Sequence, residues 1–181
     1  MSRTRGPRLG SMTSELLDRA LIEEATKKSG LVWVKGPAGP ARALWHVWHE
    51  GAACVVGDGP GEQPLAGLAG GDTAEVTVRS KDKGGRLVSW AASVVELAPD
   101  TEAWQAAVAE LKGKRLNAPD GEAMPERWAR ECRVLRLEPT GATRPLPDGS
   151  LAAAPVPTPV TTRRPVPAAL PRLLLKRRKR R

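Results

Sequence analysis

Residues 41–59 read ARALWHVWHEGAACVVGDG. Strand-forming residues run as far as His49, Glu50-Gly51 supplies a turn, and residues 52–56 return as a second strand before a glycine-rich loop. Two strands joined by so short a turn pair in antiparallel fashion. The stretch therefore predicts a β-hairpin, and it indicates a small β-barrel type of protein rather than a helical one.

Large side chains occupy both faces of the first hairpin strand. Successive side chains alternate between the faces, which puts Trp45, Val47 and His49 on one side and Leu44, His46 and Trp48 on the other. A strand that is apolar on both faces is usually buried twice, and we expect the barrel core on one side and a partner subunit on the other. At least one of the two tryptophans is expected to be a packing residue, and the other either packs as well or lines a flat aromatic ligand.

The rest of the chain predicts more strands than helices. We expect a helix over residues 14–28, strands over 31–34, 73–79, 86–97 and 134–137, a helix from about 101 to 112, and a short helix at Pro125. A long glycine-rich loop separates the hairpin from the next strand. The predicted fold class is α+β, a small antiparallel split β-barrel with flanking helices.

Charge is concentrated at the two ends of the 181-residue chain. Its 29 Lys and Arg exceed its 20 Asp and Glu by nine, and residues 163–181 alone hold nine basic side chains and no acidic one. Residues 11–141 carry 16 basic and 19 acidic side chains. A nucleic-acid-binding domain carries its positive charge on one folded face, so the composition disfavours that class for this body.

Three segments are expected along the chain. Residues 1–10 predict a disordered basic N-terminus, residues 11–141 the split-barrel domain, and residues 142–181 a Pro-rich disordered linker with a basic tail. The tail either contacts nucleic acid or an anionic surface weakly, or is simply solvated. No apolar run reaches the length of a membrane span, and the abundance of Ala, Gly, Pro and Arg is typical of a GC-rich bacterial coding sequence.

The cysteines and histidines point to neither a disulfide framework nor a metal site. Two cysteines, Cys54 and Cys132, with no apolar leader predict a reduced, cytoplasmic setting. His46 and His49 stand three apart on a strand and therefore face opposite ways. No second pair of ligands stands at zinc spacing, so we expect no metal. No nucleophile and base stand at a recognisable spacing either, and catalytic residues remain unassigned.

Two segments are candidate phosphate contacts. The loop that follows Val56 either turns a barrel corner or offers backbone N–H groups to a phosphate, although it has neither dinucleotide-binding nor P-loop spacing. Arg79-Ser80-Lys81 is either a solvated strand end or a set of donors for the same group. The residues alone leave both pairs of alternatives open.

The order of the elements over residues 14–139 resembles the FMN-binding split β-barrel of the pyridoxamine 5′-phosphate oxidase-like superfamily. The most specific part is PARALWHVW at residues 40–48, followed by Gly51 and by Val55-Val56. It is similar to the family pattern of an arginine that leads a strand running under the flavin, then a hairpin into a second flavin-contacting strand. The resemblance implies a homodimer with the flavin at the subunit interface, or with a deazaflavin coenzyme or haem as in some relatives.

Carried over by position, the resemblance implies a set of cofactor-binding residues: Arg42, Leu44, Trp45 and His46 along the flavin, Val56, Gly57 and Gln63 in the second segment, and Arg79 and Lys81 as charge for the phosphate. The chain departs from the family at Glu62-Gln63, where relatives have a cation, and at Trp90, where they have a small residue. An acid beside a phosphate dianion is unfavourable unless a cation intervenes.

The expectation for function is a flavin-binding oxidoreductase of this type, with an unknown substrate. The alternative is a cofactor-free split-barrel protein that acts as a binding or scaffold module.

Overall fold

The computed structural model describes residues 9–81, 84–116, 118 and 120–145. Its three α-helices are α1 (Leu9–Lys28), α2 (Glu102–Lys114) and α3 (Met124–Glu131), and a short 3-10 turn spans Gly121–Ala123. Its seven strands are β1 (Leu31–Lys35), β2 (Arg42–Trp45), β3 (Val47–His49), β4 (Ala52–Gly57), β5 (Thr73–Arg79), β6 (Arg86–Leu97) and β7 (Arg133–Thr143). The α+β class is confirmed.

Most predicted elements are present, and several are longer than expected. Helix α1 begins at Leu9, where we expected residue 14, and β7 continues to Thr143, where we expected residue 137. The chain divides into two units, Met1–Pro147 and Asp148–Arg181. Residues 1–8 and 146–181 lie outside the described residues, and with them the expectations for the basic tail.

One curled antiparallel sheet contains all seven strands, in the order β2-β1-β5-β6-β7-β4-β3. The two edge strands, β2 and β3, are neighbours in sequence and are separated only by His46. Two residues of chain span about 7 Å at most, so the sheet must curl until its edges nearly meet. This is the half-closed barrel that the sequence predicts.

The hairpin prediction is correct for β3 and β4 but wrong for the part before His46. Val47 pairs with Cys54 and His49 with Ala52 across the turn. We expected one continuous strand up to His49. Instead β2 pairs with β1 at the far edge of the sheet, where Arg42 lies opposite Val34. The chain changes edge at His46, and a period-two pattern carries no sign of such a change.

Two hydrophobic clusters lie on the two faces of the sheet. The interior cluster contains Leu44, Val55 and Trp90, with Trp48 packed against it and with Ile22 of α1 covering the open side. The outer cluster contains Val47, Val56, Trp104 and Trp128, with Trp45 packed against it. The alternation predicted for residues 44–48 is therefore present. Helices α2 and α3 of the same chain pack on this outer face, and the partner subunit that we expected there stays a prediction.

The loop between β4 and β5 is folded against the sheet by its own backbone. Asp58 N–H donates to Gln63 O at 2.9 Å, and Glu62 N–H donates to Gly59 O at 3.1 Å. The Asp58 carboxylate accepts from Leu65 N–H at 2.7 Å. Since these N–H groups are already used within the loop, the structure favours a barrel corner over a phosphate cradle.

The two thiols should differ sharply in reactivity. Cys54 is fully buried in β4 and Cys132 is partly exposed. Burial raises the pKa of Cys54 to about 11, so at pH 8 the thiolate that reacts is scarce. We expect Cys54 to react with a disulfide reagent roughly a hundredfold more slowly than an exposed cysteine. The absorbance of the released thiol measures the rate. In Cys132→Ser the remaining thiol should react at this slow rate in the native protein and fast only in denaturant, so fast labelling of the native variant would contradict the burial.

Candidate functional site

A cavity of about 480 Å³ opens where β2 passes into β3. Its walls are Trp45, His46, Val47 and Trp48, and its rim comes from the end of α1 and the end of α2: Lys27, Ser29, Gly30, Lys114, Arg115 and Leu116. The volume lies within the range of small-molecule and cofactor pockets. The cavity is therefore lined by two tryptophan residues and three cationic residues, and one of these cations, Lys27, is also paired with Glu23.

Contacts to both the ring and the backbone of Trp45 hold this residue in place. The guanidinium carbon of Arg115 lies 5.4 Å from the centre of the Trp45 ring, within cation–π range. The Gln63 amide closes two bonds with the Trp45 backbone, accepting from its N–H at 2.8 Å and donating to its carbonyl at 2.9 Å. The same amide nitrogen donates to Val56 O at 3.1 Å. Gln63 thus bridges β2 and β4 across the gap that β3 leaves open.

Glu62 lies at the centre of a buried ionic cluster. Its side chain is 1% exposed, and one carboxylate oxygen accepts from Arg127 at 3.1 Å and from the Trp128 indole N–H at 3.0 Å. The other oxygen lies 3.3 Å from Nε of Arg115, an ion pair whose geometry does not make a hydrogen bond. Arg127 also pairs with Asp120 at 2.5 Å, and these carboxylates raise the pKa of its guanidinium. The charge of Glu62 is therefore compensated inside the protein.

Burial favours the neutral form of His46, which has one hydrogen bond. It is 7% exposed, and burial lowers its pKa, with nearby Lys114 acting in the same direction. Its Nε2 lies 3.1 Å from the carbonyl oxygen of Thr26. Because that oxygen can only accept, Nε2 carries the proton and Nδ1 the lone pair. Nδ1 is fully buried and has no partner among the described residues.

Only two of the residues that the resemblance implied line this cavity. Trp45 and His46 line the cavity. Leu44, Val56 and Gly57 are buried in the protein, and Gln63 faces the backbone of β2. Arg42 is exposed on the edge strand.

Arg79 and Lys81 lie in a different place. They line a separate groove of about 430 Å³, together with Leu21 and Leu87, and the Arg79 guanidinium lies 4.6 Å from the ring centre of Trp33.

Sequence reasoning missed the three cations of the rim. Lys27 stands in the last turn of α1, Lys114 in the last turn of α2, and Arg115 directly after it. Basic residues at helix C-termini are ordinarily explained by the helix dipole. Only the way the helices pack places these two ends beside Trp45, so no local pattern could identify them.

Two classes of site are absent from the part of the chain that the structure describes. No group of three or more His, Cys, Asp or Glu side chains there could hold a metal ion. None of the described helices is long and apolar enough to cross a membrane.

Comparison with known proteins supports the fold. No family model matches the chain, and no curated protein matches it. Among solved structures, the heme storage protein HutZ from Vibrio cholerae is similar at a TM-score of 0.50 and 13% identity, over 68% of this chain and 90% of that one. A putative general stress protein 26 from Jannaschia sp. CCS1 has a TM-score of 0.45 and 13% identity, over 66% of this chain and 72% of that one. At such identities the likeness to HutZ shows a shared split-barrel fold and nothing about function.

Proposed function

We propose that this protein binds a planar heteroaromatic cofactor with an anionic group, most simply FMN, in the cavity walled by Trp45 and Trp48. One observation carries the proposal, namely that aromatic walls and three cations meet in one cavity of about 480 Å³. Indole rings favour a flat ring system, while Lys27, Lys114 and Arg115 favour a phosphate.

The donor set fits FMN better than haem. Haem is the second candidate because the structural neighbour is described as a heme storage protein. His46 is the only imidazole among the described lining residues, and its lone-pair nitrogen is fully buried. The side chain would have to turn and leave Thr26 before it could reach an iron atom. A flavin needs no such ligand.

A bound FMN would supply hydride chemistry, as in the oxidoreductases that the chain resembles. The residues of this chain would bind and orient the cofactor. Trp45, whose indole lies beneath Arg115 at the rim, would wall the ring. The rim cations would neutralise the phosphate, and His46, whose neutral form is favoured by burial, would keep positive charge away from the buried side. A homodimer remains part of the proposal, and the 76% exposed Leu116 at the rim is consistent with a second copy covering the cavity.

A cofactor-free binding or scaffold module is the competing function. Trp90 fills the barrel interior and is fully buried, and Glu62-Gln63 replaces the cation of the resemblance with groups that contact the protein itself. These features would suit a barrel whose cofactor site has been lost. An absorption scan of protein purified from its host separates the two functions, since bound flavin gives a yellow protein.

Lys114→Gln should weaken FMN binding about tenfold, because one charge-assisted contact to the phosphate is lost. Lys114 is exposed and lines the cavity, so the change should leave folding intact. Quenching of flavin fluorescence during titration measures the affinity. Lys81→Gln, in the separate groove, is the matched control and should bind as the wild type does. A colourless protein with no affinity for FMN, deazaflavin or haem would reject the cofactor proposal.

A further inference from the structure

Glu62 and Gln63 occupy the place where the family resemblance leads one to expect a cation for the phosphate. Both side chains point into the protein. Gln63 holds the backbone of Trp45 through two hydrogen bonds, and Glu62 lies 3.3 Å from Nε of Arg115. Neighbouring residues of one loop therefore hold the aromatic wall of the cavity and its cation.

Arg115 is held from several sides. Its Nη2 donates to Gly61 O at 3.1 Å, in the same loop as Glu62, and its Nη1 lies 3.4 Å from its neighbour Leu116 O. Its guanidinium covers the Trp45 ring, and its side chain is 25% exposed. Each Nη nitrogen also has a second N–H group. Among the described residues, these contacts leave that second N–H group available to a ligand oxygen.

We infer that Glu62 is a positioning residue, which fixes the Arg115 guanidinium against Trp45 so that its remaining N–H groups face the anionic group of the ligand. The inference rests on the proposed function for the identity of the ligand. Its geometric part, that Glu62 fixes Arg115, stands without any ligand. The loop does not supply the cation itself. Its buried Glu62 carboxylate instead orients Arg115, which follows α2, and Arg115 serves as the fixed cation.

Three variants distinguish a role of Glu62 in positioning Arg115 from a general role in supporting the fold. Glu62→Gln keeps the shape of the side chain and removes its charge, while Arg127 keeps its ion pair with Asp120. Asp120→Asn is the matched control, because it loosens Arg127, while Asp120 acts on Arg115 only through a weaker electrostatic interaction and forms no ion pair with it. Arg115→Gln removes the cation itself.

The first readout needs no ligand. Phenylglyoxal modifies accessible arginines, and peptide mass spectrometry reports the rate at Arg115 separately. A released guanidinium should react about threefold faster or more in Glu62→Gln, because it has lost its anionic partner, and at the wild-type rate in Asp120→Asn. An unchanged rate in Glu62→Gln overturns the inference.

The second readout compares FMN with riboflavin, which has the same ring and no phosphate. We expect Glu62→Gln and Arg115→Gln each to bind FMN about tenfold more weakly and riboflavin unchanged. The double variant should be no weaker than Arg115→Gln, since the two residues act as one unit. Equal losses for both ligands would mean that Glu62 only supports the fold, which overturns the inference. If the wild type binds neither ligand, the proposed function fails, while the phenylglyoxal rates still decide whether Glu62 fixes Arg115.

Discussion

Trp90→Ala should cause the largest loss of stability of any single change considered for this protein, about 3–5 kcal/mol. Trp90 lies on β6 in the barrel interior with no exposed surface. Its ring meets the edge of Trp48 at 6.4 Å and 85°, a geometry that adds to the burial. Truncation leaves a cavity that the curled sheet cannot close, because its neighbours are fixed by strand pairing. Denaturant unfolding measures the loss as a lower midpoint at constant slope.

Trp33→Ala is the matched control for this prediction. Trp33 lies on β1 of the same sheet, but it points to the outer face, where it is partly exposed beneath Arg79. Its truncation should cost about 1 kcal/mol, mostly the contact with Arg79. Equal losses in the two variants would show that the interior position of Trp90 is not what matters. Trp90→Phe should be milder, since it also removes an indole N–H that has no partner among the described residues.

Gly57→Ala should be the second most damaging of the substitutions considered for this protein, at about 2–3 kcal/mol. A Cβ at this position would stand 2.2 Å from the Gln63 carbonyl oxygen and 2.7 Å from Leu65. The nearest atom belongs to the backbone of the loop, so the loop must move away from β4. That movement would pull Gln63 from Trp45, and FMN affinity should fall together with the unfolding midpoint.

Gly85→Ala is the control for the added methyl group. Nothing among the described residues lies within 4 Å of a Cβ there, and its backbone is not in the left-handed region. The change should shift the free energy of unfolding by less than about 0.5 kcal/mol, or raise it slightly by restricting the unfolded chain. If Gly57→Ala were equally mild, the close approach of loop and strand described above would be incorrect.

Local sequence patterns were sufficient to predict the helices and strands, but they were insufficient to predict which strands pair. Alternation and turn residues located β3 and β4 around Glu50-Gly51. Helical spacing located α2, which Thr101 caps in the structure. The change of edge at His46 could not be predicted, because β2 and β3 have the same alternation and differ only in their partners. Those partners, β1 and β4, are chosen by the closure of the whole sheet.

The candidate site was predictable only in the stretch that links β2 to β3. Trp45 and His46 were identified there through the family resemblance. Lys27, Lys114 and Arg115 come from the ends of two helices and meet that strand through packing alone. Glu62-Gln63 looked like a defect in a phosphate site because a sequence shows residue types and not directions. In the structure both side chains point inward, where they support the cavity wall.

The strand order that brings the two sheet edges close together at His46 also implies an order in which the strands pair during folding. The β1–β2 and β3–β4 pairs join residues that are close in sequence, so they can form early and quickly. Strand β7 must then insert between β4 and β6, which joins residues as distant as Ala53 and Leu137. Until it does, two long strand edges lie open to pairing with other chains. The folding intermediate that lacks β7 is therefore the state most prone to aggregation. A chain truncated before Arg133 would remain in that state.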